Sequence, residues 1–140
     1  MCSAYFEAVI SELSDQEFET VLGLRAAKQF AYFVERCAET EIVWGLSVDG
    51  ADWAMTEDPN GLELFAVWPH RRFAEACRHL HWSHRTPTPI RLDDFLDLVI
   101  PKLIVDVVGV AVLPLPDLRC TPVDARQLRG ALEAELIRLG

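Results

Sequence analysis

The pattern of apolar and polar positions predicts that one stretch, Leu62–Leu80, organises the rest of the chain. Residues 62–67 are apolar and β-favouring apart from Glu63, so they predict a mostly buried strand. Pro69 ends this strand because proline has no N–H to donate, and its fixed φ suits the first turn of a helix. A buried strand that leads directly into a helix is therefore the centre of the predicted fold.

The residues that follow Pro69 predict an amphipathic helix, His70–Leu80. Its apolar positions recur at the spacing i, i+3, i+4 and i+7, which places them on one helical face. They are Phe73, Ala76, Cys77 and Leu80. We expect this face to fold back on the sheet that contains the preceding strand.

Two helices are predicted before the central stretch. Ser14 and Glu17 have the spacing of a capping box, so a short helix begins there and Gly23 ends it. The second helix covers residues 25–39. Its expected inner face is Ala27, Phe30, Val34 and Cys37, with Phe33 beside them. Residues 1–13 fit either a short docked helix or an N-terminal arm, and residues 14–140 are predicted to form a single domain.

Alternating apolar residues predict two further strands, 42–48 and 51–57. Asp49-Gly50 lies between them and favours a type I′ hairpin turn. A second turn with the sequence Asp-Pro-Asn-Gly, residues 58–61, leads into the strand of the central stretch. The three strands together predict an antiparallel meander.

A loop and a helix are predicted after the central stretch. His81–Thr88 is predicted to be a loop that Pro87 and Pro89 keep extended. Asp93 can cap the following helix, and Pro101 is expected to bend or end it.

The last third of the chain predicts one strand and one helix. Val107–Leu113 is almost wholly apolar and predicts a central strand. Thr121 is the predicted N-cap of the last helix, with Pro122 at its first position. The whole pattern predicts a single-domain α+β fold, in which an antiparallel sheet (the meander plus the later central strand) is covered by amphipathic helices.

Several short segments have the order and character of a known family. They are Phe30-Ala31-Tyr32-Phe33, Val43-Trp44-Gly45-Leu46, Phe65-Ala66-Val67-Trp68-Pro69-His70 with Phe73-Ala74, Ile90 to Pro101, and Val110-Ala111-Val112. In these segments the chain resembles a bacterial family known only as domain of unknown function 2750. The resemblance implies a small cytoplasmic bacterial α+β domain. It implies no activity, because no function and no catalytic residues are assigned to that family.

Charge is distributed unevenly along the chain. The formal net charge is −9, and residues 1–69 contain 13 acidic and 3 basic side chains. Such a field repels nucleic acid and membrane surfaces and attracts basic partners, although an ordinary solvated surface is the alternative explanation. The predicted partner-binding residues lie around the first hairpin and in the later loop. They are Glu39, Glu41, Asp49, Asp52, Glu57 and Asp58, together with Trp82, which we expect to be partly exposed.

All four histidines lie within residues 70–84, where they raise the question of a metal site. The candidate ligands are Cys77, His79, His81 and His84, and zinc accepts both thiolate and imidazole. Cys77 nevertheless lies on the apolar face of the predicted helix, where a thiol usually contributes to packing. The sequence therefore favours a solvated loop without metal, and we expect no cofactor.

His70 is the candidate for acid–base chemistry. It lies in the first turn of the predicted helix, where the positive end of the helix dipole disfavours imidazolium. A neutral imidazole could accept a proton, but the alternative is a histidine that hydrogen-bonds locally. Trp44 and Trp53 are expected to be core residues because they alternate into the sheet.

No segment of the chain approaches the roughly 18–20 apolar residues of a membrane span, and the N-terminus lacks the basic region of a signal peptide. The sequence therefore predicts a cytoplasmic location and leaves the oligomeric state open. Small size, asymmetric acidity and the lack of catalytic motifs favour a non-catalytic protein-binding domain, such as an immunity protein or antitoxin that blocks a basic toxin. The alternative is a small enzyme or ligand-binding domain centred on His70 and nearby aromatic residues.

Overall fold

The computed structural model describes residues 12–140, so the predicted arm or helix over residues 1–13 lies almost wholly outside the described residues. The helices are α1 (Asp15–Leu22), α2 (Ala26–Thr40), α3 (Arg71–Glu75), α4 (Leu92–Asp94), α5 (Ile100–Val105) and α6 (Ala125–Leu139), with a 3₁₀ turn at Leu80–Trp82 and a π-helix at Phe95–Val99. The strands are β1 (Ile42–Ser47), β2 (Met55–Glu57), β3 (Glu63–Val67), β4 (Thr86–Arg91), β5 (Gly109–Val112) and β6 (Thr121–Val123).

Two sheets form the centre of the fold. Strands β1 and β4 pair antiparallel, and a four-stranded sheet has the order β2-β3-β5-β6. Within it β3 and β5 run parallel, whereas the two outer pairs are antiparallel. Trp44 and Trp68 connect the sheets, because the backbone N–H of each donates to the carbonyl of the other, at 2.9 and 2.8 Å. The predicted α+β class and the central position of β5 are confirmed; the parallel pairing of β3 with β5 was not expected.

The core lies between these sheets and the helices. Helix α2 packs against α6, and α3 packs against β1 and β4. The largest fully buried side chains come from both layers, and they include Trp68, Phe33, Phe73, Phe95, Ile42, Leu46, Leu128 and Leu132. On α2 the predicted inner face holds for Phe33, Val34 and Cys37, but Ala27 is exposed and Gln29 is buried instead. The side-chain amide of Gln29 donates to the carbonyl of Val21 at 3.1 Å, which explains how a polar residue occupies that position.

The predicted three-stranded meander is only partly correct. Strands β2 and β3 pair as expected, but β1 pairs with β4 along residues 86–91, of which residues 86–88 were predicted to belong to a loop. Pro87 and Pro89 made this segment resemble a loop. Because they occupy alternate positions, both ring nitrogens lie on the same side of the strand. An edge strand leaves one side unpaired, so β4 tolerates them.

The helix predicted over His70–Leu80 is much shorter than expected. Only Arg71–Glu75 is α-helical, and the chain then turns into the 3₁₀ segment. Phe73 and Cys77 are buried as predicted, but Leu80 is 70% exposed and has a left-handed φ of 54°. The ring of His79 shares a hydrogen bond of 2.8 Å between its Nε2 and the carbonyl of Pro116, which holds the turn against the later chain.

Pro101 does not end the helix in which it lies. The five residues before α5 are π-helical, and the N–H of Ile100 donates to the carbonyl of Phe95, five residues earlier. A π-helical turn shifts the hydrogen-bond register, so the missing N–H of Pro101 interrupts no continuous α-helical ladder. The chain continues as helix to Val105.

The last helix begins later than predicted. Thr121 and Pro122 belong to β6, where Pro122 lies opposite Ala111 of β5. Asp124 is the actual N-cap, and its Oδ1 accepts a hydrogen bond of 2.8 Å from the N–H of Arg126. Pairing with β5 therefore extends the strand through the residues that the sequence assigned to the helix.

The predicted turns and the first cap are confirmed. Ser14 caps α1, and its Oγ accepts from the N–H of Glu17 at 3.1 Å. Asp49 and Gly50 have φ values of 52° and 80°, as a type I′ turn requires. In the second turn, Asp58 Oδ1 accepts hydrogen bonds from the N–H groups of Asn60 and Leu62, at 2.9 and 2.8 Å. Within residues 12–140, no helix has both the length and the apolar character that crossing a membrane requires.

Candidate functional site

The end of β3 is fixed by a junction at the carbonyl of Pro114. Trp68 is fully buried, and its indole Nε1–H donates to this carbonyl at 2.9 Å. The Sγ of Cys77 donates to the same oxygen at 3.2 Å. Burial raises the pKa of the Cys77 thiol to about 12, so it remains protonated at neutral pH. Both groups therefore hold the fold together, and the thiol is not a ready nucleophile.

Trp82 is not the partly exposed loop residue that the sequence predicted. Only 7% of it is accessible, and its ring meets that of Trp68 edge to face, with centroids 5.8 Å apart. The 3₁₀ turn explains the error, because it directs Leu80 outward and Trp82 inward. Polar neighbours on both sides of Trp82 concealed this in the sequence. Trp44 and Trp53 were expected to be core residues. Trp44 is buried, and Trp53 is partly buried against Phe65.

His70 caps the short helix α3. It is 6% exposed, and its Nδ1 accepts a hydrogen bond of 3.0 Å from the N–H of Arg72. A nitrogen that accepts carries no proton, so this contact fixes the tautomer of the neutral ring. This geometry matches the local hydrogen-bonding alternative raised by the sequence.

The candidate zinc ligands lie in different environments. Cys77 is buried and contacts Pro114, whereas His81 and His84 are exposed. Within residues 12–140, no three side chains of histidine, cysteine, aspartate or glutamate are arranged to hold a metal ion.

The predicted acidic surface is divided between the two ends of β1. Glu39 and Glu41 lie before its start, and Asp49 and Asp52 lie after its end. A strand of this length separates the two ends by about 17 Å. Because β1 and β3 are antiparallel at the Trp44–Trp68 bridge, the last residue of β1 and the first residue of β3 lie towards the same end of the sheets.

Five carboxylates therefore face the same end of the sheets, and we name them the hairpin group: Asp49, Asp52, Glu57, Asp58 and Glu63. Glu57 and Glu63 lie directly opposite each other in the β2–β3 register. Asp52 is paired with Arg85, at 3.0 Å between Oδ1 and Nη2. Within residues 12–140 the other four make no ion pair. Sequence reasoning missed Glu63, although the second turn could have placed it opposite Glu57.

An open apolar pocket of about 420 Å³ lies beside Asp58, at the amino ends of β3 and β5. Its walls are mostly aliphatic, and they include Leu62, Leu64, Leu103, Ile104, Val107, Val108, Pro122 and Val123. Asp58, Asp124 and Arg126 are the charged residues that line it. This site could not be seen in the sequence, because it is assembled from β3, α5, β5, β6 and α6.

A second depression, of about 610 Å³, lies at the start of α2. Arg25, Gln29, Arg119 and Cys120 line it together with aliphatic residues. His70 lines neither pocket.

A family comparison identifies the group of proteins to which the chain belongs. The model of the family "Protein of unknown function (DUF2750)" matches residues 30–132. The chain belongs to the DUF2750 family. The resemblance noted in the sequence is thereby confirmed. No curated protein and no solved structure matches the chain.

The region matched to DUF2750 contains both features described above. The hairpin group spans residues 49–63 and the lining of the apolar pocket spans residues 58–126, so both lie within it. Because the family description assigns no activity, the function of this DUF2750 protein has to be inferred from its own surface.

Proposed function

We propose that this DUF2750 protein is a non-catalytic domain that binds a basic protein partner through the hairpin group. The observation that supports this is the gathering of five carboxylates at one end of the sheets, four of them without an ion pair among residues 12–140. An immunity protein or antitoxin that covers a basic toxin would use such a surface.

The pairing of Glu57 with Glu63 adds to this support. Like charges directly opposite each other on neighbouring strands destabilise a sheet. A cationic partner would remove this repulsion on binding, so the unfavourable pair in the free protein becomes a source of affinity. Long-range attraction between the partners would also raise the association rate.

Two parts of the predicted surface change their role in this proposal. Glu39 and Glu41 lie at the other end of β1, so they contribute to the overall negative field and not to the contact. Trp82 is buried against Trp68 and is left out of the contact surface. The proposed contact surface does not need Trp82, because the acidic turns are exposed without it.

The alternative of an enzyme or ligand-binding domain centred on His70 has less support. The Nδ1 of His70 accepts a local backbone hydrogen bond and thereby caps α3. Its position is explained by the fold, without any reaction.

The test uses charge reversal of the two opposed glutamates. Asp49 has a left-handed φ, Asp52 is ion-paired and Asp58 holds its turn, so these three are left unchanged. The variant is Glu57→Lys with Glu63→Lys, and its matched control is Glu19→Lys with Asp97→Lys, two exposed residues without ion pairs in the described chain. Asp117 and Asp124 are unsuitable controls, because Asp117 pairs with Arg119 and Asp124 caps α6.

The two variants and the unchanged protein serve as baits for affinity capture from the native cell extract. We expect a basic protein that the unchanged protein and the control retain and the hairpin variant loses. Its association rate should fall with salt, because the Debye length shortens from about 10 Å at 0.1 M to about 3 Å at 1 M. Equal losses with both variants would mean that the acidic surface is merely solvated.

A further inference from the structure

We propose that the apolar pocket beside the hairpin group is the anchor site for an apolar side chain of that basic partner. The occupant is a leucine-like or phenylalanine-like side chain on an amphipathic segment whose neighbours are lysine or arginine. This inference rests on the proposed function and adds the residue-level contact that would hold the partner in place.

The pocket is built by close approach of backbone and side chains at its base. Leu64 lies opposite Gly109 in the β3–β5 register, and a Cβ added to Gly109 would come within 2.8 Å of Leu64 Cδ2. The same parallel register brings Leu62 towards Val107 at the rim. A glycine at the base and aliphatic residues at the rim leave a volume of about 420 Å³, within the range of common ligand pockets.

The backbone of Val107 forms the end of α5, where its N–H donates to the carbonyl of Ile104 at 3.2 Å and the N–H of Val108 donates to that of Leu103 at 2.9 Å. This helix end explains the backbone conformation at residue 107, but it does not explain why a valine occupies the position. Val107 has a φ of 56°, and it is the one β-branched residue with a positive φ among residues 12–140. Such a residue is strained there, whereas glycine or asparagine would adopt the conformation readily. The side chain is also 74% exposed, so it adds little to the core. Contact with a partner gives this strained and exposed valine a role.

More apolar surface surrounds this position. Val105 is 77% exposed and Leu62 is 39% exposed. Leu62 and Val107 line the pocket, and Val105 ends α5 two residues before Val107. Apolar anchors that enter a pocket and exclude water supply most of the binding energy in many protein interfaces.

The charges around the pocket determine which partner fits. Asp58 and Asp124 line it against Arg126, and Glu57 and Glu63 lie at the ends of the adjoining strands. The balance is negative, which favours an apolar residue with cationic neighbours. A second copy of the chain would bring the same acidic rim against itself in a two-fold dimer, and this disfavours self-association at this site.

The hairpin group and the pocket would then contribute to different steps of binding. The hairpin group would act at a distance and set the association rate, while the pocket would act on contact and set the dissociation rate. This division gives each feature its own measurable effect.

The test uses synthetic helical peptides of equal length as probes. One carries lysine and leucine at amphipathic spacing, a second carries the same lysines with glutamine in place of leucine, and a third carries glutamate with the same leucines. Binding to the full chain is measured by fluorescence anisotropy, and the contact is mapped by amide shifts of isotope-labelled protein. The variant is Val107→Asn, and the matched control is Ile137→Asn, an 80% exposed apolar residue towards the far end of α6.

We expect the lysine–leucine peptide to bind most tightly and to shift the amides of Leu62, Val107 and Gly109. Val107→Asn should weaken it about tenfold or more, chiefly through faster dissociation, and Ile137→Asn should leave it unchanged. Val107→Asn should also raise the melting temperature, since it relieves the strained φ. This last result separates a contact role from a structural one, which would lower the melting temperature.

The outcomes separate failure of the anchor from failure of the proposed function. If both lysine peptides bind equally, lose affinity with Glu57→Lys/Glu63→Lys and ignore Val107→Asn, the acidic surface stands and the anchor is overturned. If the glutamate–leucine peptide binds as tightly as the lysine–leucine peptide, the basic partner is overturned. Amide shifts confined to another face, or no binding by any peptide, would overturn the anchor as well.

Discussion

The two ends of strand β3 differ in almost every physical property. At its carboxyl end, Trp68 is fully buried, bonded through its backbone to Trp44 and through its ring to Pro114. At its amino end, Glu63 is exposed, faces another glutamate and borders an open apolar pocket. The five residues of β3 thus connect a fully buried, hydrogen-bonded junction to an exposed surface with opposed like charges. The residues at the carboxyl end stabilise the fold, and those at the amino end are the ones proposed above to bind a partner.

The largest expected effect tests the buried end. Trp68→Ala should lower the free energy of unfolding by roughly 3–5 kcal/mol, because it removes a fully buried ring and its hydrogen bond to Pro114. Urea denaturation and thermal melting would measure the loss. Trp68→Phe is the milder companion, since it keeps an aromatic ring and removes the indole donor together with only part of the ring volume. A melting temperature for Trp68→Ala within a degree or two of the unchanged protein would contradict the described difference between the ends.

An intermediate effect tests the base of the pocket. Gly109→Ala should cost about 1–3 kcal/mol, because the added methyl group would lie 2.8 Å from Leu64 Cδ2 and 3.3 Å from the carbonyl oxygen of Val123. Gly130→Ala is the matched control, since no atom lies within 4 Å of the added Cβ and its position is helical. That control should stabilise the protein by roughly 0.5–1 kcal/mol. Equal results for the two glycines would show that the pocket is not closed at its base.

The smallest expected effect tests the exposed end. Glu57→Lys and Glu63→Lys should each stabilise the protein by about 0.2–1 kcal/mol, because each converts a repulsive cross-strand pair into an attractive one. The double variant restores like charges and should lose the gain. Chemical denaturation of all four proteins at low and high salt provides the comparison. A double variant as stable as the sum of the single ones would show that the two side chains do not interact.

Local chemistry explains which elements the sequence could predict. The cap at Ser14, the Asp49-Gly50 turn and the buried β3 depend on residues close together in the chain, and all three were predicted correctly. Their signals come from backbone preferences and from burial pattern, which act within a few residues.

The errors arose where distant contacts override local preference. The edge position of β4 makes its two prolines harmless, and pairing with β5 draws Thr121 and Pro122 into a strand. Trp82 turns inward because its ring packs edge to face against the ring of Trp68. The pocket was invisible for the same reason, since residues from 58 to 126 meet only in the folded domain. The acidic residues are visible in the sequence, but their division between the ends of β1 depends on strand geometry and could not be read from it.

The carbonyl of Pro114 has a consequence for the order in which the chain can assemble. It lies 46 residues beyond Trp68 and 37 beyond Cys77, so the central stretch is synthesised long before its acceptor exists. Until β5 and Pro114 have left the ribosome, the indole and thiol donors have no partner from this segment and β3 has a free edge. Such long-range pairing delays folding and leaves apolar strands temporarily unprotected. The nascent chain therefore passes through an interval in which the apolar strand β3 lacks its partner, and the neighbouring charges of Glu57 and Glu63 are of the kind that oppose aggregation of such a strand.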